Sequence, residues 1–209
     1  MGRVCSFLWA NPHTFLSVKD RIMNVMNKYR ELMAFPQVIR LALSAFPARL
    51  AYGMIGLGIF FKAEQETGSI AIAGFAIGLN SLAGSLTAGL RGSVMDKFGQ
   101  KWPIRILVPM YASLILLLNT METRTSILVT AFILGITAPP INLSVRPLWK
   151  DIVPDNFLRT AYALDTSMMS FTTVIGPILI TFLSLSSRPE LGLAVIAALM
   201  LIGGLALSA

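Results

Sequence analysis

Cysteine and histidine are almost missing from this sequence of 209 residues, each occurring once, as Cys5 and His13. A single thiol excludes an internal disulfide and a cysteine-based metal site within the chain. The one histidine precedes every long apolar stretch, which excludes an intramembrane serine-histidine pair and a histidine-glutamate zinc cluster. Charge is scarce too, at 13% of residues, against roughly 25% in ordinary soluble domains. What remains is apolar: 55% of residues are hydrophobic and the mean hydropathy is +0.72. One soluble core cannot hide that much apolar surface, whereas a lipid bilayer solvates it directly. The net charge of +7 and pI near 10.0 do not point to nucleic acid, because the basic residues sit between apolar stretches and form no patch with interleaved aromatics. No cofactor or metal is implied.

A helix needs about 20 apolar residues to cross roughly 30 Å of hydrocarbon. Six segments meet that requirement, some with interruptions: 41–61, 70–90, 104–118, 126–143, 161–183 and 191–208. The connections carry turn chemistry, as in Glu64 to Ser69, Gly99 to Pro103 and Ser186 to Glu190. The expected organisation is therefore an all-α membrane protein. Residues 1–40 form a tail with an amphipathic helix over Val18 to Phe35, and residues 41–209 form a bundle of six transmembrane helices. In the tail helix Ile22, Met26 and Met33 share one side while Lys19, Arg21, Lys28 and Arg30 occupy the rest, a pattern for a membrane surface or for a loose leader.

Lysine and arginine are distributed unevenly between alternate connections. Thirteen of the 17 fall on one side, including Arg3, Lys19, Arg40, Lys97, Arg146 and Arg159, against Lys62, Arg124 and Arg188 on the other. The richer side reads as cytoplasmic. Both termini then lie in the cytoplasm.

Between the second and third apolar stretches the sequence runs Gly92-Ser93-Val94-Met95-Asp96-Lys97-Phe98-Gly99-Gln100-Lys101. This resembles the signature loop of the major facilitator superfamily: glycine, three residues, aspartate, a basic residue, any residue, glycine, then a basic pair. Gln100 departs from the first member of that pair. Gly92 would permit close helix approach, Gly99 would supply a turn conformation, and Asp96 would join a charge network with Lys97, Lys101 and nearby Arg91. The next loop on the same side, Asp151-Ile152-Val153-Pro154-Asp155 followed by Arg159, resembles the superfamily loop after its fourth span. The resemblance implies that Asp151 faces Lys97 or Lys101 and that Arg159 reaches Asp96. Gly176-Pro177 in the fifth stretch resembles the helix bend of the antiporter signature, although Thr172, Leu179 and Ile180 replace its other glycines. In the second stretch Ser81, Ser85 and Gly89, with Gly74 and Gly78, suggest a small-residue packing face.

The resemblance runs from about Leu41 onward. It implies six helices arranged as two three-helix inverted repeats, one half of a secondary transporter that moves a small molecule by alternating access. The similarity to efflux permeases implies an exporter of the bacterial cytoplasmic membrane. A truncated chain, a split chain needing a second six-helix half and a homodimer stay open, as does a non-transporting structural or vestigial fragment. An intramembrane enzyme is the least supported class.

Two charges lie inside apolar stretches. Arg49 sits roughly 12 Å into the first and Asp165 roughly 9 Å into the fifth, at 1.5 Å per residue. A lone intramembrane charge is costly, so the pair is expected to meet inside the bundle or to share a watered cavity. The alternative is that Arg49 snorkels to the surface and Asp165 caps a frayed helix start.

Overall fold

A computed structural model describes residues 12–99, 101–186 and 190–208; the stretch containing Cys5, and Gln100 and Arg188, lie outside the described residues. The architecture is helical: α1 (Pro12–Met33), α2 (Pro36–Thr67), α3 (Ile70–Phe98), α4 (Lys101–Asn119), α5 (Arg124–Thr137), α6 (Ile141–Ile152), α7 (Asp155–Ser184) and α8 (Glu190–Ser208).

Local chemistry fixes most of these boundaries. Pro36 opens α2 at a position where its missing N–H costs nothing, and Gly68 closes the helix at φ 63°, its N–H donating to the Glu64 carbonyl at 2.8 Å. Ser69 then caps α3 through its side chain, and Thr123 caps α5 in the same way. Gly99 ends α3 at φ 75°, the turn conformation expected of it.

Five helices, α2, α3, α4, α7 and α8, are long and apolar enough to cross a membrane. The expected apolar stretch 126–143 is not one helix. α5 stops at Thr137 after 14 residues, about 21 Å at 1.5 Å per residue and short of a 30 Å core. The cause is Ala138-Pro139-Pro140. Each proline removes a backbone donor, and the residue before a proline is driven out of the helical region, as the Ala138 ψ of 118° records. α6 resumes at Ile141 and buries Ile141, Ser144, Val145 and Trp149 while exposing Arg146 and Lys150. Residues 124–152 number 29, as many as α3.

α2 is the central post, packed chiefly on α8, α7 and α3; α4 packs on α8 and α3 on α5. Small residues set the closest crossings. A Cβ on Gly176 would lie 2.7 Å from the carbonyl carbon of Gly53, and one on Gly53 would lie 2.5 Å from the Thr172 carbonyl oxygen. Gly135 abuts the Asn80 carbonyl and lies near Gly84, and Gly203 abuts Ala48. The close face of α3 is thus built on Asn80, Ala83 and Gly84. It does not use Gly74, Gly78, Gly89 or Gly92, each of which has open space where a side chain would start, so among the described residues no close approach is made at Gly92. Ser81 and Ser85 line a cleft instead of a packed interface. In α1, Leu32 is buried while Ile22, Met26 and Met33 face outward. Phe35, just beyond it, meets Phe157 edge to face at 5.7 Å.

Candidate functional site

The structure brings the two intramembrane charges together. Arg49, on α2, and Asp165, ten residues into α7, are 3% and 1% exposed, with Nη2 of Arg49 2.8 Å from Oδ1 of Asp165. The contact is close but not aligned as a hydrogen bond, so charge and not a directed N–H holds it. The directed bond to the same oxygen comes from α6, whose Trp149 Nε1 donates at 3.0 Å. Asp165 therefore ties three helices with one oxygen. Its Oδ2 is buried without a hydrogen-bond partner, as are Nε and Nη2 of Arg49.

A second polar assembly surrounds the break between α5 and α6. A chain that leaves the helix at Ala138 exposes carbonyls that no backbone N–H reaches, and inside a membrane those must be met by side chains. Arg91, from α3, donates to the carbonyls of Ala138 and Gly84, with a longer contact from Nε to the Thr87 carbonyl at 3.4 Å. Tyr52, three residues beyond Arg49, donates its hydroxyl to the Pro139 carbonyl. Asn80 Nδ2 donates to the Ala131 carbonyl at 3.0 Å, in the middle of α5. Arg91 thus leaves the surface charge network expected of it and turns inward.

These assemblies border two adjoining clefts. One, of about 460 Å³, is lined by Tyr52, Asn80, Arg91, Tyr111, Pro139 and Asn142 among others. The other, of about 290 Å³, includes Arg49, Tyr52, Asn142, Thr172, Thr173 and Pro177. Tyr52 and Asn142 belong to both. Pro177 lies within α7 without ending it. Lacking an N–H, it leaves the Thr173 carbonyl without its helical donor.

The residues of the signature loop lie apart from this interior. Asp96, Lys97, Gly99, Lys101, Asp151 and Arg159 are exposed. Among the described residues, no ion pair joins Asp96 to Arg159 or Asp151 to Lys97. Water explains that outcome, since an exposed pair gains about 0–1 kcal/mol and must also order two long side chains. Lys97 lies 5.4 Å from the centre of the Phe98 ring. The loop is anchored by the residue before Asp96: Met95 is buried, and its sulfur lies 3.8 Å from Ser144 Oγ of α6.

The Trp149 contact, the bond from Tyr52 to Pro139 and the inward turn of Arg91 are not evident from sequence alone. The signal was present in Pro139-Pro140, since two prolines inside an apolar stretch announce free carbonyls that need donors.

Long apolar helices enclosing a buried ion pair, a helix break sealed by side chains and a polar interior define an integral membrane helical bundle in contact with lipid. The family model described as Major Facilitator Superfamily matches residues 41–209, and the chain belongs to that superfamily. An uncharacterised MFS-type transporter, y4rN of Sinorhizobium fredii, is 27% identical over 175 residues, covering 81% of this chain and 43% of the relative. The chain therefore spans less than half the length of that relative. No solved structure matches it.

Proposed function

We propose that the chain forms one half of a secondary transporter that exports a small molecule from a bacterial cell by alternating access. The observation that carries this reading is the Arg49–Asp165–Trp149 contact, in which one buried carboxylate joins α2, α6 and α7 beside a cleft. A change in the charge of that carboxylate would alter what holds the three helices together. Asp165 is the proposed proton-coupling residue.

In this reading α5 and α6 together make the fourth crossing, giving six crossings with both termini in the cytoplasm. Two glycine contacts support inverted repeats. The first helix of one triplet crosses the second of the other at Gly53 and Gly176, and the reciprocal crossing falls at Gly84 and Gly135. The exposed loop charges Asp96 and Lys97, set between Gly92 and Gly99, with Lys101, Asp151 and Arg159, are proposed to pair in the alternative conformation and so to bias the equilibrium between the two. Gly176-Pro177 supplies the deformable point of α7. A second six-helix half or a second copy covers the faces of α3 and α7, whose apolar windows are the least buried of the five long helices. That exposure also favours the second reading, a membrane fragment that does not transport by itself.

The test is proton-driven flux in proteoliposomes containing the chain in its native assembly. Asp165→Asn is expected to insert normally and to lose coupling to the proton gradient. Coupling equal to that of the unaltered protein would eliminate Asp165 from that role.

A further inference from the structure

Both clefts carry formal charge of one sign. Arg49 is the charged residue in the wall of the smaller cleft and Arg91 in that of the larger, and among the described residues neither wall contains an aspartate or glutamate. Asp165 neutralises Arg49 from behind, because it is absent from the cleft wall that Arg49 helps to form. A ligand entering there meets the cation and not its counterion.

The arginines also retain capacity. A guanidinium has five N–H donors, and Arg49, 3% exposed, directs no hydrogen bond from Nε or Nη2. Arg91 engages three neutral carbonyls and, among the described residues, no carboxylate, so its charge is solvated but not balanced. A positive charge in a low-dielectric interior is stabilised most by an anion. The rest of the lining offers hydrogen bonds and apolar contact: the Asn142 amide, which makes no hydrogen bond among the described residues, the Thr173 side chain, and the Tyr52 and Tyr111 rings 6.1 Å apart.

We infer that the two clefts form a binding site for a small organic anion, whose carboxylate-like group takes Arg49 as its partner in competition with Asp165. Naming this substrate class rests on the transporter reading for its physiological meaning. Arg49 has two rival counterions, Asp165 on α7 and the ligand in the cleft. Loss of the Asp165 charge, as in Asp165→Asn, leaves Arg49 without that counterion and frees the cation for the ligand. Arg91 and Asn142 then hold the far end.

The test measures thermal unfolding of the purified protein, with Trp149 emission as a local reporter, against acetate, hexanoate and cyclohexanecarboxylate, each paired with its neutral amide. Cyclohexylmethylammonium is the cationic comparison. At least one carboxylate is expected to bind saturably while its amide does not. Asp165→Asn removes the rival counterion and is expected to tighten binding by about tenfold. The double variant R49Q/D165N leaves no buried unpaired charge and is expected to abolish binding while remaining folded. Asn142→Ala, a milder change at a position shared by both clefts, is expected to weaken binding severalfold. Equal binding of amide and carboxylate, preference for the ammonium compound, failure of every carboxylate, or unchanged binding in R49Q/D165N would each overturn the inference. Flux of the ammonium compound without carboxylate binding defeats the anion site and leaves the transporter reading standing. Carboxylate binding without flux of any compound supports the anion site and defeats the transporter reading.

Discussion

Trp149 and Arg49, from α6 and α2, converge on the same oxygen of Asp165, one at 3.0 Å with a directed N–H and the other at 2.8 Å by charge. Neither contact is available to a helix alone. The carboxylate is therefore a junction, and each side chain around it carries a separable part of the bundle's stability.

Trp149→Phe keeps the ring and removes the donor. It is expected to destabilise the protein by about 1–3 kcal/mol, the usual result of leaving a buried acceptor short of a hydrogen bond. The midpoint of thermal unfolding in detergent measures this, and a midpoint equal to that of the parent protein would contradict the bond.

Removing one charge should cost more than removing both. Arg49→Met or Asp165→Leu alone leaves a buried uncompensated charge and is expected to cost about 3–5 kcal/mol, while the double variant R49M/D165L recovers most of that loss. A double-mutant cycle on unfolding midpoints is the measurement. Additive effects would show that the two side chains are not coupled.

The glycine crossings should be strongly position-dependent. Gly176→Leu forces α7 off α2 at Gly53 and is expected to destabilise by about 1–3 kcal/mol or more through overpacking. Gly74→Ala and Gly89→Ala, with open space at both positions, are expected to stay within about 0.5 kcal/mol of the parent. Comparing the three unfolding midpoints tests the crossing geometry without reference to transport.

Replacing both prolines of the break, as in P139A/P140A, is expected to let helix run from α5 into α6 and to deprive Arg91 and Tyr52 of their acceptors. Amide hydrogen exchange over 137–142 should slow where helical bonds form. Exchange as fast as in the parent would mean that the prolines do not make the break.

Orientation can be read chemically. Because Cys5 is the only cysteine, a Cys5→Ser background accepts single reporters. Lys97→Cys and Lys62→Cys are expected to label from opposite faces of the membrane; labelling from one face would overturn the topology.

Much of this was legible in the sequence because the bilayer is a strict solvent. Apolar stretches near 41–61, 70–90 and 161–183 coincide with parts of α2, α3 and α7, since long uncharged runs in lipid have few alternatives to the helix. Arg49 and Asp165 were conspicuous for the same reason. What escaped was partner choice. Hydropathy averages over a window and so bridged Pro139-Pro140, although the break is a matter of single N–H groups. Arg91 looked like one more cytoplasmic cation because linear position does not record that its guanidinium can reach back toward Gly84. Trp149 sat in a short segment with polar neighbours, and only the packing of α6 turned its ring toward Asp165.

The carbonyls of Ala138 and Pro139 are completed by side chains borne on α3 and α2. A segment as short as α5 cannot settle in lipid with those oxygens bare. Tyr52 and Arg91 precede Ala138 and Pro139 in the chain, so during synthesis the donors are made before the acceptors they complete.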